Sequence, residues 1–193
     1  MPAHPQSLRL TERYRDRLAA IRASVDRTAA GAWRVSLDDL DATYAPWLER
    51  MVATLTAAQA QAVRATAGYL TAYLTLELGR RPSSPLVIDS SEWAGKSRDG
   101  RPLEESLLSP LIGIKARIKD GQDPAKSLIE GRRRALLAVG LDTDQAARLP
   151  LLTAIKRDER FEGWVRVPRG TCAACLSATD GRVNASVSFP IHP

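Results

Sequence analysis

Between residues 7 and 30, Leu10, Tyr14, Leu18, Ile21 and Val25 recur at steps of four, four, three and four. That spacing lines one face of an α-helix with apolar side chains, while Arg and Asp occupy the other face. Gly31 is expected to stop this helix as a C-terminal cap residue. Ser36, with Asp39 three positions on, resembles a capping box. It opens an Ala-rich segment that runs to Leu78, with Gly79 and Pro82 just beyond. Leu40, Tyr44, Trp47, Leu48, Met51 and Leu55 form the first apolar stripe of this segment, and Tyr73 with Leu74 its last. Pro46 is expected to kink it or to mark a junction of two helices, because proline removes a backbone donor and clashes with the preceding turn. Unbroken, the helix would measure roughly 60 Å at about 1.5 Å per residue, a length that suits a subunit of an assembly better than an isolated globular domain.

The stretch from Arg80 to Gly100 turns to Pro, Ser, Gly and mixed charge, which reads as an extended linker crossing a surface. A helix follows from about Pro102 to Lys119, with Pro110 as its weak point. Asp123 before Pro124 is a start signal for a helix over Ala125 to Val139, closed by Gly140. Thr143 opens another that reaches about Asp158, with Pro150 as a further break. The last thirty-odd residues differ: FEGWVRV and VNASVSF are short β-branched or aromatic runs around a turn rich in Gly, Cys and Thr, the pattern of a small hairpin. The organisation expected is therefore a long-helix region over 1–79, a linker over 80–101, a helical region over 102–160 and a small Cys-x-x-Cys element over 161–193. The fold class expected is mainly α, an extended multi-helix arrangement with a small C-terminal β-hairpin.

Composition supports the class. The 193 residues are 44% hydrophobic but only 5% aromatic, and Ala is abundant, so thin helix contacts are favoured over a sheet core of bulky side chains. The formal charge of +6 favours an anionic partner, nucleic acid being the commonest, although acids are interspersed with the bases and the excess also serves solubility. No run of about 18 apolar residues exists, and the N-terminus lacks the apolar core of a secretory signal. Synthesis and retention in a cytoplasm are expected, with no membrane partner.

Chemistry is sparse. Cys172 and Cys175 can bite one tetrahedral ion, and His192 can close the site across the hairpin. Zinc suits such a set, but a structural site usually takes four ligands and three are visible, so a plain cysteine pair in a turn stands beside the metal reading. A thioredoxin-type role would need a βαβ context that the pattern lacks. Arg132, Arg133 and Arg134 lie on a helix whose other face is read as Leu128, Ile129, Leu136 and Leu137. With Lys126, Arg148, Lys156, Arg157 and Arg160 they form either a phosphate-binding surface or a solvated face. Trp47 and Trp93 read as anchors of helix contacts, and Trp164 and Val165 with Phe161 as bulk for the β region. The only histidines are His4 and His192, so a Ser-His-Asp arrangement would have to be assembled from the chain ends. The acid pairs Asp38 with Asp39 and Asp158 with Glu159 read as helix-dipole partners or surface charge. No enzyme is expected.

The C-terminal pattern GWVRVPRGTCAACLSATDG…FPIHP resembles the Mu F-like minor head proteins of tailed phages, in which a Cys-x-x-Cys after a short strand is followed by His-Pro and further cysteines. Cys172, Cys175, His192 and Pro193 match. The later cysteines do not fall within the chain, which suggests truncation, processing or order only this far. The helical N-terminal region, the Tyr-Leu-x-x-Tyr-Leu pattern from Tyr69 to Leu74 and the GRPLEESL segment resemble the actinobacteriophage branch of the same family. The resemblance implies a low-copy protein inside the phage head, associated with the portal and linked to head assembly and DNA packaging or ejection. Its implied partners are the portal, the major capsid protein, packaged double-stranded DNA and further copies of itself. The competing expectation is a free DNA-binding module with a zinc-stabilised C-terminal hairpin. An enzyme, such as a maturation protease or a toxin, would need catalytic residues beyond Pro193.

Overall fold

The computed structural model describes residues 5–82 and 88–157, together with the backbone of 163–165 and 182–184. The described residues are mainly helical and form four α-helices: α1 (Pro5–Ala32), α2 (Leu40–Leu78), α3 (Leu103–Lys119) and α4 (Pro124–Arg157). It divides into two compact units, Met1–Pro150 and Leu151–Pro193.

In the first unit α1 and α2 run alongside each other in opposite directions, and named pairs fix the register. Ser7 Oγ donates to Glu77 Oε1 at 2.9 Å near one end. Tyr14 stacks on Tyr69 in the middle, with ring centroids 4.4 Å apart and planes 8° from parallel. Trp47 Nε1 donates to the Ala29 carbonyl at 3.1 Å near the other end. Gly31 does not stop α1, which continues to Ala32, and Gly31 is not among the glycines with positive φ. The helix ends where the chain must turn Trp33 inward: Trp33 packs edge-on against Tyr44 and Trp47, at 5.9 and 5.1 Å between centroids.

The cap of α2 is Asp39 rather than Ser36. The Asp39 side chain accepts from the Ala42 amide at 3.0 Å, whereas Ser36 Oγ accepts from the Asp38 amide within the turn. Gly79, at φ 65°, supplies the left-handed residue that closes the helix. Pro46 lies inside α2 and does not divide it. An interior proline costs about 3 kcal/mol, but the same turns bury Tyr44, Trp47 and Met51, each contributing roughly 1.5–3 kcal/mol, so packing outweighs the lost bond. Pro110 is likewise carried inside α3, where it is buried.

The largest structural correction concerns α4. Gly140 does not end a helix and Thr143 does not begin one. One helix runs from Pro124 to Arg157, through Gly140 and Pro150. Asp123 starts it as expected, accepting from the Lys126 amide at 2.8 Å. Thr143 Oγ1 bonds back to the Val139 carbonyl at 2.8 Å, a bond internal to a helix and no cap. Both glycines of this helix that meet neighbours are notches: a Cβ at Gly131 would collide with the Ile114 side chain of α3, and one at Gly140 with the Arg22 guanidinium of α1. The main core combines Val25, Ala29 and Trp33 of α1 and its exit with Tyr44, Trp47, Met51 and Leu55 of α2. Leu103, Leu107 and Leu111 of α3 and Ala135 and Val139 of α4 complete it. A second, Ala-lined contact joins Ala62 to Ala146 and Ala147, the thin packing that the composition favours.

In the second unit two three-residue strands, β1 (Gly163–Val165) and β2 (Arg182–Asn184), pair antiparallel with Trp164 opposite Val183.

Candidate functional site

Cys172, Cys175 and His192, read as metal ligands, lie outside the described residues, as do Phe161, Asp158, Glu159 and Arg160. Among the described residues no group of three or more His, Cys, Asp or Glu side chains could hold a metal ion. None of their helices is long and apolar enough to cross a membrane. Asp38 and Asp39 are engaged in the turn that starts α2, where Asp38 accepts from Ser36 Oγ at 3.1 Å.

Arg132, Arg133 and Arg134 project from α4 into solvent. Glu130 sits one turn earlier and accepts from Arg133 at 2.8 Å and from Arg134 at 2.9 Å. Hydrogen bonds from these two guanidinium groups hold the Glu130 carboxyl down at about 2. Part of the triplet's charge is thus met within the helix, and among the described residues Arg132 has no ion pair. The expected apolar back face needs correction. Leu128 and Leu136 do pack against the core, but Ile129 is 70% and Leu137 54% exposed. Residues 129, 133 and 137 follow at i, i+4 spacing, so these two aliphatic side chains flank Arg133 on the outward face. On α3, Ile112 is also outward, at 64% exposure. Arg148 is half-buried, and Lys156 and Arg157 are exposed in the last turn of α4, within the second unit.

The structure adds a site that the sequence did not announce. From Asp89 to Pro102 the chain is held against α2 and α4. A 3₁₀ turn over Ser90–Glu92, capped by Asp89, leads into a loop closed by a bridge between Lys96 and Pro102. Gly95 and Gly100 take the left-handed conformation, at φ 80° and 82°. Within the loop Ser97 N donates to the Arg101 carbonyl at 2.8 Å, and Ser97 Oγ and Arg101 both donate to the Asp99 carboxylate. Gln59, 1% exposed on α2, grips the loop from beneath: its Oε1 accepts from the Gly95 amide at 2.8 Å and its Nε2 donates to the Lys96 carbonyl at 2.7 Å. From α4, Asp142 Oδ1 accepts from the Arg98 amide at 2.9 Å.

Loop and helices enclose a cleft of about 290 Å³ whose walls include Trp93, Lys96 and Arg98 on the loop side, and Gln145, Ala146 and Leu149 on α4. At its base Asp142 is only 2% exposed, and among the described residues its Oδ2, like Gln145 Oε1, is buried with no partner at hydrogen-bond distance. Leaving such an acceptor unmet costs about 1–3 kcal/mol, so two in one cleft are a departure to be explained. Burial pushes the Asp142 carboxyl above its ordinary value; the Arg98 amide and charge and, most weakly, the Ser106 hydroxyl pull the other way, and the nearby Asp99 charge adds to the rise. Asp142 and Gln145 stand three apart on a helix, so both reach the same opening. The pair carries no motif, and only the folded loop brings it under Trp93.

Set against known proteins, the chain matches no protein-family model, no curated protein sequence and no solved structure.

Proposed function

We propose that this chain is a non-enzymatic attachment protein of a tailed-phage head, seated inside the capsid next to the portal and serving head assembly and DNA packaging or ejection. The observation that carries the reading is the C-terminal sequence pattern GWVRV, then Cys172-Ala-Ala-Cys175, then His192-Pro193, with its resemblance to the Mu F-like minor head proteins. Two features of α3 and α4 support attachment as the work done. Ile112, Ile129 and Leu137 spend apolar surface on the outside, and the last two stand among the arginines 132–134. A face that mixes exposed aliphatic side chains with arginine suits a protein partner that lies close to a polyanion.

In this reading the helices dock on portal or capsid subunits, while Arg132 leads the contact of the first unit with DNA phosphates; Lys156 and Arg157 are the candidates for such contact in the second unit. Zinc held by Cys172, Cys175 and His192 would staple the C-terminal element. The test is the particle itself. Heads purified from infected cells should contain the chain at low copy, and portal protein should co-purify with it. Heads that lack it would end the assignment. Metal content tests the staple separately: stoichiometric zinc that disappears in Cys172→Ser supports it, and metal-free protein of unchanged stability retires it.

A further inference from the structure

We infer that the cleft between the 93–100 loop and α4 is a binding site for a cationic nitrogen group on an apolar stem, a guanidinium or primary ammonium that donates to Asp142 Oδ2 and Gln145 Oε1. The inference is independent of the phage reading.

Three observations converge on that ligand class. First, among the described residues the two cleft atoms without a partner at hydrogen-bond distance, Asp142 Oδ2 and Gln145 Oε1, are both acceptors, the Ser106 hydroxyl acting on Asp142 only weakly, so a donor is what completes the pair. One of them belongs to a carboxylate, which favours a charged donor over a neutral one. Second, the surroundings suit the stem as well as the head. Ala146 and Leu149 give an apolar wall and Trp93 an aromatic one, against which a cation is also attracted by the ring face. Third, the site is built. Asp142 is fixed by the Arg98 amide on its other oxygen, and the loop above it is fixed by both ends of the Gln59 amide, so the acceptors are held in place before any ligand arrives.

Competing occupants fit less well. A divalent metal would want several hard oxygen ligands, and among the described residues no acidic or histidine cluster supplies them. An anion would meet Lys96 and Arg98 at the rim, but at the base it would face the Asp142 carboxylate and an amide oxygen. Lys96 and Arg98 are exposed, and neither makes an ion pair among the described residues. Arg98 acts on Asp142 by its charge without an ion pair, so the base still lacks a direct side-chain donor. The source of the cation is either a free amine or an Arg or Lys side chain of a bound protein.

The experiment is a titration of the full chain followed by amide and indole chemical shifts. Butylguanidinium and butylamine serve as free probes, butanol as the uncharged control, and a blocked peptide with one Arg among Ala as the protein-borne probe. We expect saturable shifts at Gly95, at Arg98 and at the Trp93 indole with the cations and none with butanol. Affinity should fall at least tenfold in Asp142→Asn and clearly in Gln145→Leu, each first shown to be folded by its helical signal. A tenfold or greater preference for the peptide over butylguanidinium identifies a protein side chain as the occupant; equal or weaker binding of the peptide identifies a small amine. If Asp142→Asn is unfolded, Gln145→Leu and Trp93→Ala carry the test. Shifts that do not saturate, that butanol reproduces, or that persist undiminished in the folded variants overturn the inference.

Discussion

Arg22 of α1 donates through Nη1 to the carbonyl of Gly140 on α4 at 2.8 Å, across 118 residues of sequence. The same nitrogen reaches Asp144 at 2.5 Å, and Nε is held by Asp26 at 2.9 Å. A glycine that resembles a helix stop is therefore the seat of an interhelical latch. Gly140→Ala would expel the guanidinium, although a mid-helix glycine costs about 1 kcal/mol relative to alanine. The two effects oppose, and urea denaturation should show a net change within about 1 kcal/mol. In an Arg22→Ala background the latch is already gone, so the same Gly140→Ala change should stabilise by about 1 kcal/mol. Additive behaviour would mean that the latch contributes nothing.

Gly131 should behave differently. Its neighbour is the fully buried Ile114, which has no solvent to move into. Gly131→Ala is expected to incur an overpacking cost of about 1–3 kcal/mol, more than the gain in helix propensity, and thus to lower the unfolding midpoint. A raised midpoint would show that α3 and α4 do not approach so closely.

Gln59→Leu removes both partners of the loop from a site that is 1% exposed. With the Gly95 amide and Lys96 carbonyl unmet, the loss should be about 2–3 kcal/mol, with amide exchange faster between Asp89 and Pro102 than elsewhere. Uniform protection across the chain would place the anchor of the loop somewhere else.

The raised Asp142 carboxyl predicts a pH dependence whose sign is opposite to that of a paired carboxylate. Its proton is held more tightly in the folded than in the unfolded chain, so its contribution to stability is greatest below the ordinary value of 3.8 and is lost as pH rises through the higher folded value. Asp142→Asn should flatten that part of the stability profile. A profile identical to the parent's would show that Asp142 ionises normally.

Glu130 sets the charge of the arginine face. If the face meets DNA, Arg132→Ala should weaken binding more than Arg133→Ala, because Glu130 already engages Arg133. Glu130→Gln should strengthen binding and steepen its dependence on salt, each added phosphate contact changing the logarithmic slope by about 0.9. Binding indifferent to all three changes would remove this face from the DNA contacts.

The helical class, the register of apolar positions on α1 and α2, the Gly79 cap and the Asp123 start were legible in the sequence, because each rests on spacing within a few residues. Local signals mislead where they meet a distant partner. Gly31, Pro46, Gly140 and Thr143 all carry the marks of helix ends, yet burial of Tyr44, Trp47, Leu107 and Val139 holds the helices through or beside them. Ile129 and Leu137 are aliphatic and helical like core residues, but the inward stripe of α4 is set by Ala135 and Val139, which turns those two outward.

The cleft marks the same boundary. Composition showed that Arg80 to Gly100 would not form a long helix, but Gln59, Asp142 and Gln145 are ordinary polar residues until tertiary structure closes them from water. What the sequence determined by itself was periodicity, caps and charge, since those act over one or two turns. Only the folded chain decided which glycines are notches, which aliphatic side chains face out and which acceptors lie buried without a donor, because each depends on atoms brought together from tens of residues away.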